Sequence, residues 1–132
     1  ELQAAFLTAK LSCLDEVNNE RRNIAWKYLE GIKNPEIILP FVPDYATPVW
    51  HIFGIRCSRR AELEKFLNDA NIGTNKHYPI PMHLQDCYKN LGFKAGDYPI
   101  AEEISATELS IPMYYGMSEE EIQYVIDVIN RY

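Results

Sequence analysis

The residues with the most chemical potential lie together in one short segment. A lysine, two histidines and a tyrosine fall within the eight residues from Lys76 to His83, braced by Pro79 and Pro81. The two prolines exclude a regular helix or a central strand, so the segment is predicted to be an ordered loop. Imidazole and phenol groups exchange hydrogen bonds with ligands, and binding residues concentrate on loops. A structural role, in which Tyr78 and one histidine cap a sheet edge, explains the same residues.

Other site chemistries find little support in the residue types and their spacing. His77 and His83 are six residues apart and His51 lies on a separate predicted strand, so three convergent ligands for a metal are not expected. No cysteine neighbours a histidine in a catalytic motif, and Cys87 is predicted to be a small buried side chain. The six glycines are scattered and form no phosphate-binding pattern.

The composition indicates one globular domain and disfavours several classes of partner. The chain has 132 residues, of which 47% are hydrophobic and 24% charged, enough for a core without disulfides. Thirteen basic and nineteen acidic residues give a net charge of −6, which disfavours a nucleic-acid partner. Three cysteines without a CxxC pair predict reduced thiols in a cytoplasmic protein, and no apolar run predicts a membrane span. The pair Glu102 and Glu103 is expected to be solvated surface.

The apolar periodicities predict helices packed on a small sheet. Helices are predicted over 1–31, 59–71, 99–107 and after Ser118, with a helical turn in 84–91. Ser118 begins a capping box with Glu121, and Ser58 is predicted to cap the helix that follows it. Short strands are predicted at 37–39, 49–57 and 108–111, with an extended piece at 74–76. This order predicts an α/β (α+β) fold with a small, mostly antiparallel sheet packed by helices.

The first predicted helix, 1–31, is long for a globular domain and has no start signal. We therefore expect it to continue upstream in a longer protein. Such a helix commonly bridges two domains, and part of its surface is expected to pack on a partner that this chain lacks.

Five segments, in the same order along the chain, resemble the DegT/DnrJ-type sugar aminotransferases. They span almost the whole sequence and read ELQAAFL from Glu1, VWHIF from Val49, GTNKHYPIPMHLQ from Gly73, GDYPIAE from Gly96 and ELSIPM from Glu108. The resemblance implies that residues 1–132 are the C-terminal small domain of a fold-type I enzyme. The large domain, which binds the coenzyme, would then precede it.

The resemblance also implies an activity for the complete enzyme. Members of this family use pyridoxal phosphate (PLP) to convert a keto group on a nucleotide-linked sugar into an amine, in amino-sugar and polysaccharide biosynthesis. The amino donor is usually glutamate, and the enzymes are homodimers. The family's PLP-binding residues lie upstream, so no catalytic or PLP-binding residue is expected here, and the chain alone is predicted to be inactive. Of seven lysines only Lys76 lies in the candidate loop, and neither an acidic partner nor an anion-binding group is expected beside it.

By the same resemblance, His77, Tyr78 and His83 are expected to face the active-site cleft and bind the nucleotide sugar. Related enzymes that act on 3-keto sugars carry the form IHYPIPPH, from which this chain departs at Lys76 and Met82. The likeness favours a 3-keto-6-deoxyhexose as substrate. Two other readings stay open: a stand-alone ferredoxin-like domain that senses a small ligand without catalysis, and an interaction module with no small-molecule site.

Overall fold

A computed structural model describes all residues from Glu1 to Tyr132. Its regular elements are α1 (Leu2–Leu11), α2 (Leu14–Gly31), β1 (Phe53–Arg56), α3 (Arg60–Asp69), α4 (Pro99–Thr107), β2 (Glu108–Ile111) and α5 (Glu119–Arg131). Two short 3-10 helices, Met82–Leu84 and Asp86–Leu91, lie between α3 and α4. None of the helices combines the length and the apolar character needed to cross a membrane. The predicted α+β fold is confirmed, and α4 and β2 occupy the ranges that the sequence predicts.

The sheet consists of two antiparallel strands with one extra pairing at each edge. β1 and β2 pair along their whole length, with Gly54 opposite Ser110. Ile38 pairs with Arg56 on the free edge of β1, and Asn75 pairs with Ser110 on the free edge of β2. The strands predicted at 37–39 and 74–76 are therefore reduced to single bridges. The predicted strand 49–57 shortens to Phe53–Arg56, since the proline-rich stretch before it cannot sustain a ladder.

Helices α2, α3 and α5 supply most of the helical side chains of a single core around the sheet. The largest side chains that are fully buried are Tyr28, Phe53, Ile24, Ile55, Leu63, Leu67, Leu109 and Ile129. Each such aliphatic or aromatic side chain contributes about 1.5–3 kcal/mol when it leaves water. The phenol of Tyr28 donates to the carbonyl of Pro112 at 2.9 Å, and burial raises the pKa of this tyrosine. The core therefore anchors the segment that follows β2 onto α2.

The predicted helix 1–31 is broken in two at Ser12 and Cys13. The hydroxyl of Ser12 donates to the carbonyl of Ala9 at 2.8 Å, and the thiol of Cys13 donates to that of Lys10 at 3.2 Å. Side chains that bond to nearby carbonyls compete with the helical ladder, and this competition ends α1. The two helices differ in packing, because α1 has no buried residue whereas α2 buries Ile24, Ala25 and Tyr28.

The two predicted helix caps have different outcomes. The capping box of α5 is confirmed, because Glu121 N–H donates to Ser118 Oγ at 3.2 Å and Ser118 N–H donates to Glu121 Oε2 at 2.8 Å. The backbone bond from Ser118 and the hydroxyl of Tyr114 lower the pKa of Glu121. The prediction for Ser58 is wrong: α3 begins at Arg60, and no side chain caps it. Arg59 occupies the N-cap position, and its guanidinium forms ion pairs with Glu36 and Glu62.

Candidate functional site

The predicted loop 76–83 is held at two separate points. His77 is attached to β2, and His83 is attached to α4. Tyr78 lies between these attachments and is 70% exposed, with its ring edge-on to that of His77 at 5.5 Å. The three residues therefore do not converge on one point, and the two histidines line different pockets.

His77 belongs to a chain of hydrogen bonds that reaches into the sheet. Its backbone N–H donates to Glu108 Oε2 at 2.8 Å, and its Nδ1 lies 2.8 Å from Ser110 Oγ. The hydroxyl of Ser110 in turn donates to Glu108 Oε1, and on the other side of the ring Nε2 lies 3.2 Å from Asn75 Nδ2. Glu108 and Ser110 are only 9% and 6% exposed, so the imidazole rests on a buried polar pair.

The opposite strand makes room for this buried carboxylate. A Cβ added at Gly54 would lie 3.0 Å from Glu108 Oε1, so a larger residue there would press on the carboxylate. Sequence reasoning missed Glu108 and Ser110 as site residues because they were assigned only to a strand. The available signal was their polar character within a four-residue strand that is buried throughout.

The pocket beside His77 is small and largely polar. Its volume is about 290 Å³, near the lower end of the range for small-molecule sites. The polar side chains in its lining come from His51, Thr74, Asn75, His77 and Ser110. The hydroxyl of Thr74, a residue of the same lining, is buried and has no hydrogen-bond partner within the chain.

One arginine fixes the far wall of the same pocket. Arg21 Nη1 on α2 donates to the carbonyls of Trp50 at 3.2 Å, His51 at 3.3 Å and Met113 at 3.1 Å. These carbonyls come from the loop before β1 and the loop after β2. A single guanidinium therefore joins two loops that are far apart in sequence and holds His51 at the edge of the pocket.

His83 is held by an acidic residue that the sequence analysis placed on the solvated surface. Its Nε2 lies 3.0 Å from Glu102 Oε1, and Glu102 also accepts from the backbone N–H groups of Gly96 and Tyr98. The amide of Gly96 and, to a smaller extent, the bond from His83 lower the pKa of Glu102. The prediction for Glu102 is therefore wrong because α4 turns this side chain towards the loop. That for Glu103 holds, since its side chain is 63% exposed while it pairs with Arg56.

The pocket beside His83 is larger and almost entirely apolar. Its volume is about 380 Å³, and its lining consists of Met82, His83, Tyr88, Leu91, Phe93, Tyr98 and Ala101. The side chain of His83 is 7% exposed, and its ring meets that of Tyr98 edge-on at 4.8 Å. Cys87, which the sequence predicts to be buried, is exposed. It lies on the 3-10 helix Asp86–Leu91, none of whose residues is buried.

Lys76 does not fit the role of a coenzyme-binding lysine. Its Nζ lies 2.7 Å from Glu64 Oε1 on α3, and the two side chains are only 31% and 26% exposed. The expectation that Lys76 has no acidic partner is therefore wrong. The amine is bound to a helix and lines neither of the two pockets. The residues of the loop thus offer hydrogen-bonding groups for a ligand but no free amine for PLP.

Comparison with known proteins identifies the family. Residues 1–130 match the profile of the DegT/DnrJ/EryC1/StrS aminotransferase family. The chain belongs to this family. It is 46% identical over 132 residues to the dTDP-3-amino-3,6-dideoxy-alpha-D-galactopyranose transaminase of Aneurinibacillus thermoaerophilus. The matched region covers 100% of this chain and 36% of that enzyme. The resemblance stated from the sequence is therefore confirmed.

A second relative and a solved structure agree with this family assignment. The chain is 36% identical over 133 residues to the dTDP-3-amino-3,4,6-trideoxy-alpha-D-glucose transaminase of Streptomyces venezuelae. It superposes on the crystal structure of DesV from S. venezuelae with a TM-score of 0.94 and 36% identity, over 98% of this chain and 35% of DesV. The chain thus spans about a third of the length of the aminotransferases it matches.

Proposed function

We propose that this chain works as the small domain of a PLP-dependent aminotransferase that acts on a nucleotide-linked keto sugar. The observation that carries the proposal is the family match over residues 1–130, in relatives about three times as long as the chain. In this proposal the chain supplies one wall of the active-site cleft, and the rest of the enzyme holds PLP. A ferredoxin-like sensing domain is disfavoured by a sheet of only two strands.

The proposed substrate is a 6-deoxy sugar with a keto group at C3. The names of both curated relatives describe a dTDP-linked sugar with an amino group at C3 and a deoxygenated C6. The 76–83 loop, which differs from the form IHYPIPPH only at Lys76 and Met82, supports the same class of sugar. Glutamate as amino donor, a homodimer and a cytoplasmic location belong to the proposal through the family alone.

The three loop residues have different parts in this proposal. His77 faces the polar pocket with a ring that is already oriented, which suits hydrogen bonding to a sugar hydroxyl. Tyr78 projects from the loop and can contact the nucleotide sugar from the open side of the cleft. His83 lies in the lining of the apolar pocket, where it would form part of the wall that contacts the nucleotide sugar. The prolines limit the conformational freedom that binding would otherwise remove.

Helix α1 is the proposed contact with the rest of the enzyme. It presents apolar side chains that are 63–72% exposed, namely Leu2, Phe6, Leu7 and Leu11. Four large apolar side chains exposed on one ten-residue helix favour an interaction site over an ordinary solvated helix. We assign the large domain to this surface, as the bridging role inferred from the sequence requires.

A chimera tests the proposal directly. The chain replaces the matching segment of the Aneurinibacillus thermoaerophilus transaminase, and the isolated chain is studied in parallel. We expect the isolated chain to lose all PLP absorbance on dialysis and the chimera to retain it and to aminate a dTDP-linked 3-keto-6-deoxy sugar. Retention of PLP by the isolated chain, or a folded PLP-bound chimera without aminotransferase activity, would contradict the proposal.

The same chimera tests the role of His77. We expect His77→Ala to raise the KM for the sugar nucleotide about three- to tenfold, as the loss of one hydrogen bond implies. PLP absorbance should not change. Gln123→Ala, on the exposed face of α5, serves as the control and should leave the KM as it was. Unchanged kinetics for His77→Ala would leave this histidine with a structural role only.

A further inference from the structure

The hydrogen bonds on the sheet side of His77 determine which ring nitrogen carries the proton. Ser110 has one hydroxyl hydrogen, and it points to Glu108 Oε1. An ionised carboxylate only accepts, so this hydrogen is not available to the imidazole. Ser110 Oγ must then accept from His77 Nδ1, which lies 2.8 Å away. From this side the ring carries its hydrogen on Nδ1.

The other side of the ring leads to the same result independently. The backbone N–H of Lys76 donates to Asn75 Oδ1 at 2.8 Å, which fixes the orientation of the Asn75 amide. Its NH₂ group therefore faces His77 Nε2 at 3.2 Å. An NH₂ group is a donor only, so Nε2 must be the accepting nitrogen of a neutral ring. Both ends of the network thus require the same tautomer.

We propose that Glu108, acting through Ser110, holds His77 in the Nδ1–H tautomer and so presents Nε2 as a hydrogen-bond acceptor at the polar pocket. The ligand group that this nitrogen recognises is then a hydroxyl or amine hydrogen and not a phosphate oxygen. Asn75 is exposed and can yield its place to such a donor. Glu108 and Ser110 are positioning residues, and the part of the proposal that concerns the ligand rests on the proposed function.

The tautomer can be measured in the 132-residue chain by nitrogen-15 NMR of the imidazole rings. The chain has three histidines, so substitution of each in turn assigns the signals. The measurement is made well above pH 6.5, which is about the ordinary pKa of histidine. We expect the Nδ1–H tautomer of His77 to exceed the Nε2–H tautomer by about tenfold or more. A ring protonated mainly on Nε2 would overturn the proposal.

Glu108→Gln is expected to reverse the tautomer. The carbonyl of the new amide must accept from His77 N–H, which turns its NH₂ group towards Ser110 and releases the serine hydroxyl to donate to Nδ1. The majority form should then carry its hydrogen on Nε2. Glu103→Gln, the same substitution at an exposed site on α4, should leave the His77 signals unchanged. A Glu108→Gln variant that folds and keeps the Nδ1–H form would overturn the proposal.

Ser110→Ala provides a second variant in case Glu108→Gln does not fold. Removal of the hydroxyl leaves the Nδ1–H group of His77 without its acceptor. The Nδ1–H form should then lose most of its excess over the Nε2–H form. Retention of that excess would count against the proposal. Kinetics in the chimera keep the two proposals apart, because a failure of the proposed function appears in the KM of His77→Ala, whereas a failure of the tautomer appears in the NMR spectra alone.

Discussion

At the scale of single residues, the candidate site depends on a carboxylate buried between two strands. Glu108 accepts hydrogen bonds from His77 N–H and from the hydroxyl of Ser110, so its charge is stabilised without a cationic partner. Burial of a carboxylate without good hydrogen bonds lowers the free energy of unfolding by roughly several kcal/mol. The positions of its hydrogen-bond partners therefore matter. Any residue that displaces Glu108 should therefore disturb both the fold and the orientation of His77.

Gly54→Ala tests this dependence. The added Cβ would lie 3.0 Å from Glu108 Oε1, closer than most carbon–oxygen contacts, so the buried carboxylate must give way. We expect a loss of about 1–3 kcal/mol in the free energy of unfolding, as for other overpacked sites. Urea unfolding followed by circular dichroism measures it.

Gly73→Ala is the matched control for this prediction. A Cβ at Gly73 would meet no atom within 4 Å, and its backbone φ is not in the left-handed region. The substitution should therefore be neutral or slightly stabilising, because alanine restricts the unfolded chain. Equal free energies of unfolding for the two variants would show that Glu108 can be displaced without loss of stability.

The residue types of the site could be predicted from the sequence, but their partners could not. His77 and His83 stand out because two prolines brace a short segment that is rich in polar aromatic groups. Glu108 lies 31 residues after His77, and Glu102 lies 19 residues after His83. Periodicity identifies the elements that carry these acids but does not show which side chains meet across the fold. These meetings depend on the pairing of Asn75 with β2, which brings His77 to Glu108, and on the orientation of α4, which brings Glu102 to His83.

At the scale of elements, local chemistry predicts some helix ends and misses others. Ser118 caps α5 because the next three residues are acidic and the third of them, Glu121, reaches back to the serine N–H. Ser58 has a favourable residue type, but Arg59 takes the N-cap position of α3 and no side chain caps the helix. A capping box can be predicted from sequence because its two residues satisfy each other locally, whereas a favourable residue type alone does not fix where a helix begins.

The two serines form a matched pair for testing this difference. Ser118→Ala should lower the free energy of unfolding by about 0.5–2 kcal/mol, because Glu121 N–H loses its acceptor at the start of α5. Ser58→Ala should change it by less than about 0.5 kcal/mol, since Ser58 caps nothing. Chemical unfolding of both variants measures the difference. Equal losses would mean that the hydroxyl of Ser118 is not what stabilises α5.

The same comparison explains the break in the first predicted helix. The apolar stripe of 1–31 continues through Ser12 and Cys13, so periodicity predicts one helix there. The structure ends α1 at Leu11, where the two side chains bond to carbonyls of the preceding turn. Periodicity reports the apolar face of a helix and is insensitive to such local competition for carbonyls.

At the scale of the whole molecule, one side of the chain is a packed core and the other side is open. Arg21 and the core phenol of Tyr28 fix the loops around the polar pocket from the α2 side. Asn75 and His77 line the same pocket, where bonds to Glu108 and Ser110 on β2 hold His77. Hydrogen bonds within the chain thus hold these side chains and loops in place, which suits a domain that contributes an oriented surface to a larger cleft.

The unpacked helix α1 allows a test of this division. It buries no side chain, so its removal should not weaken the core. We expect the chain without residues 1–11 to unfold within about 0.5 kcal/mol of the intact chain and to aggregate less, because Leu2, Phe6, Leu7 and Leu11 no longer face water. Leu67→Ala, in the core face of α3 and fully buried, is the control and should cost about 2–5 kcal/mol. Urea unfolding and light scattering give the two readouts. A loss of stability on deletion that matches Leu67→Ala would show that α1 belongs to the core, and the large domain would no longer be needed to cover it.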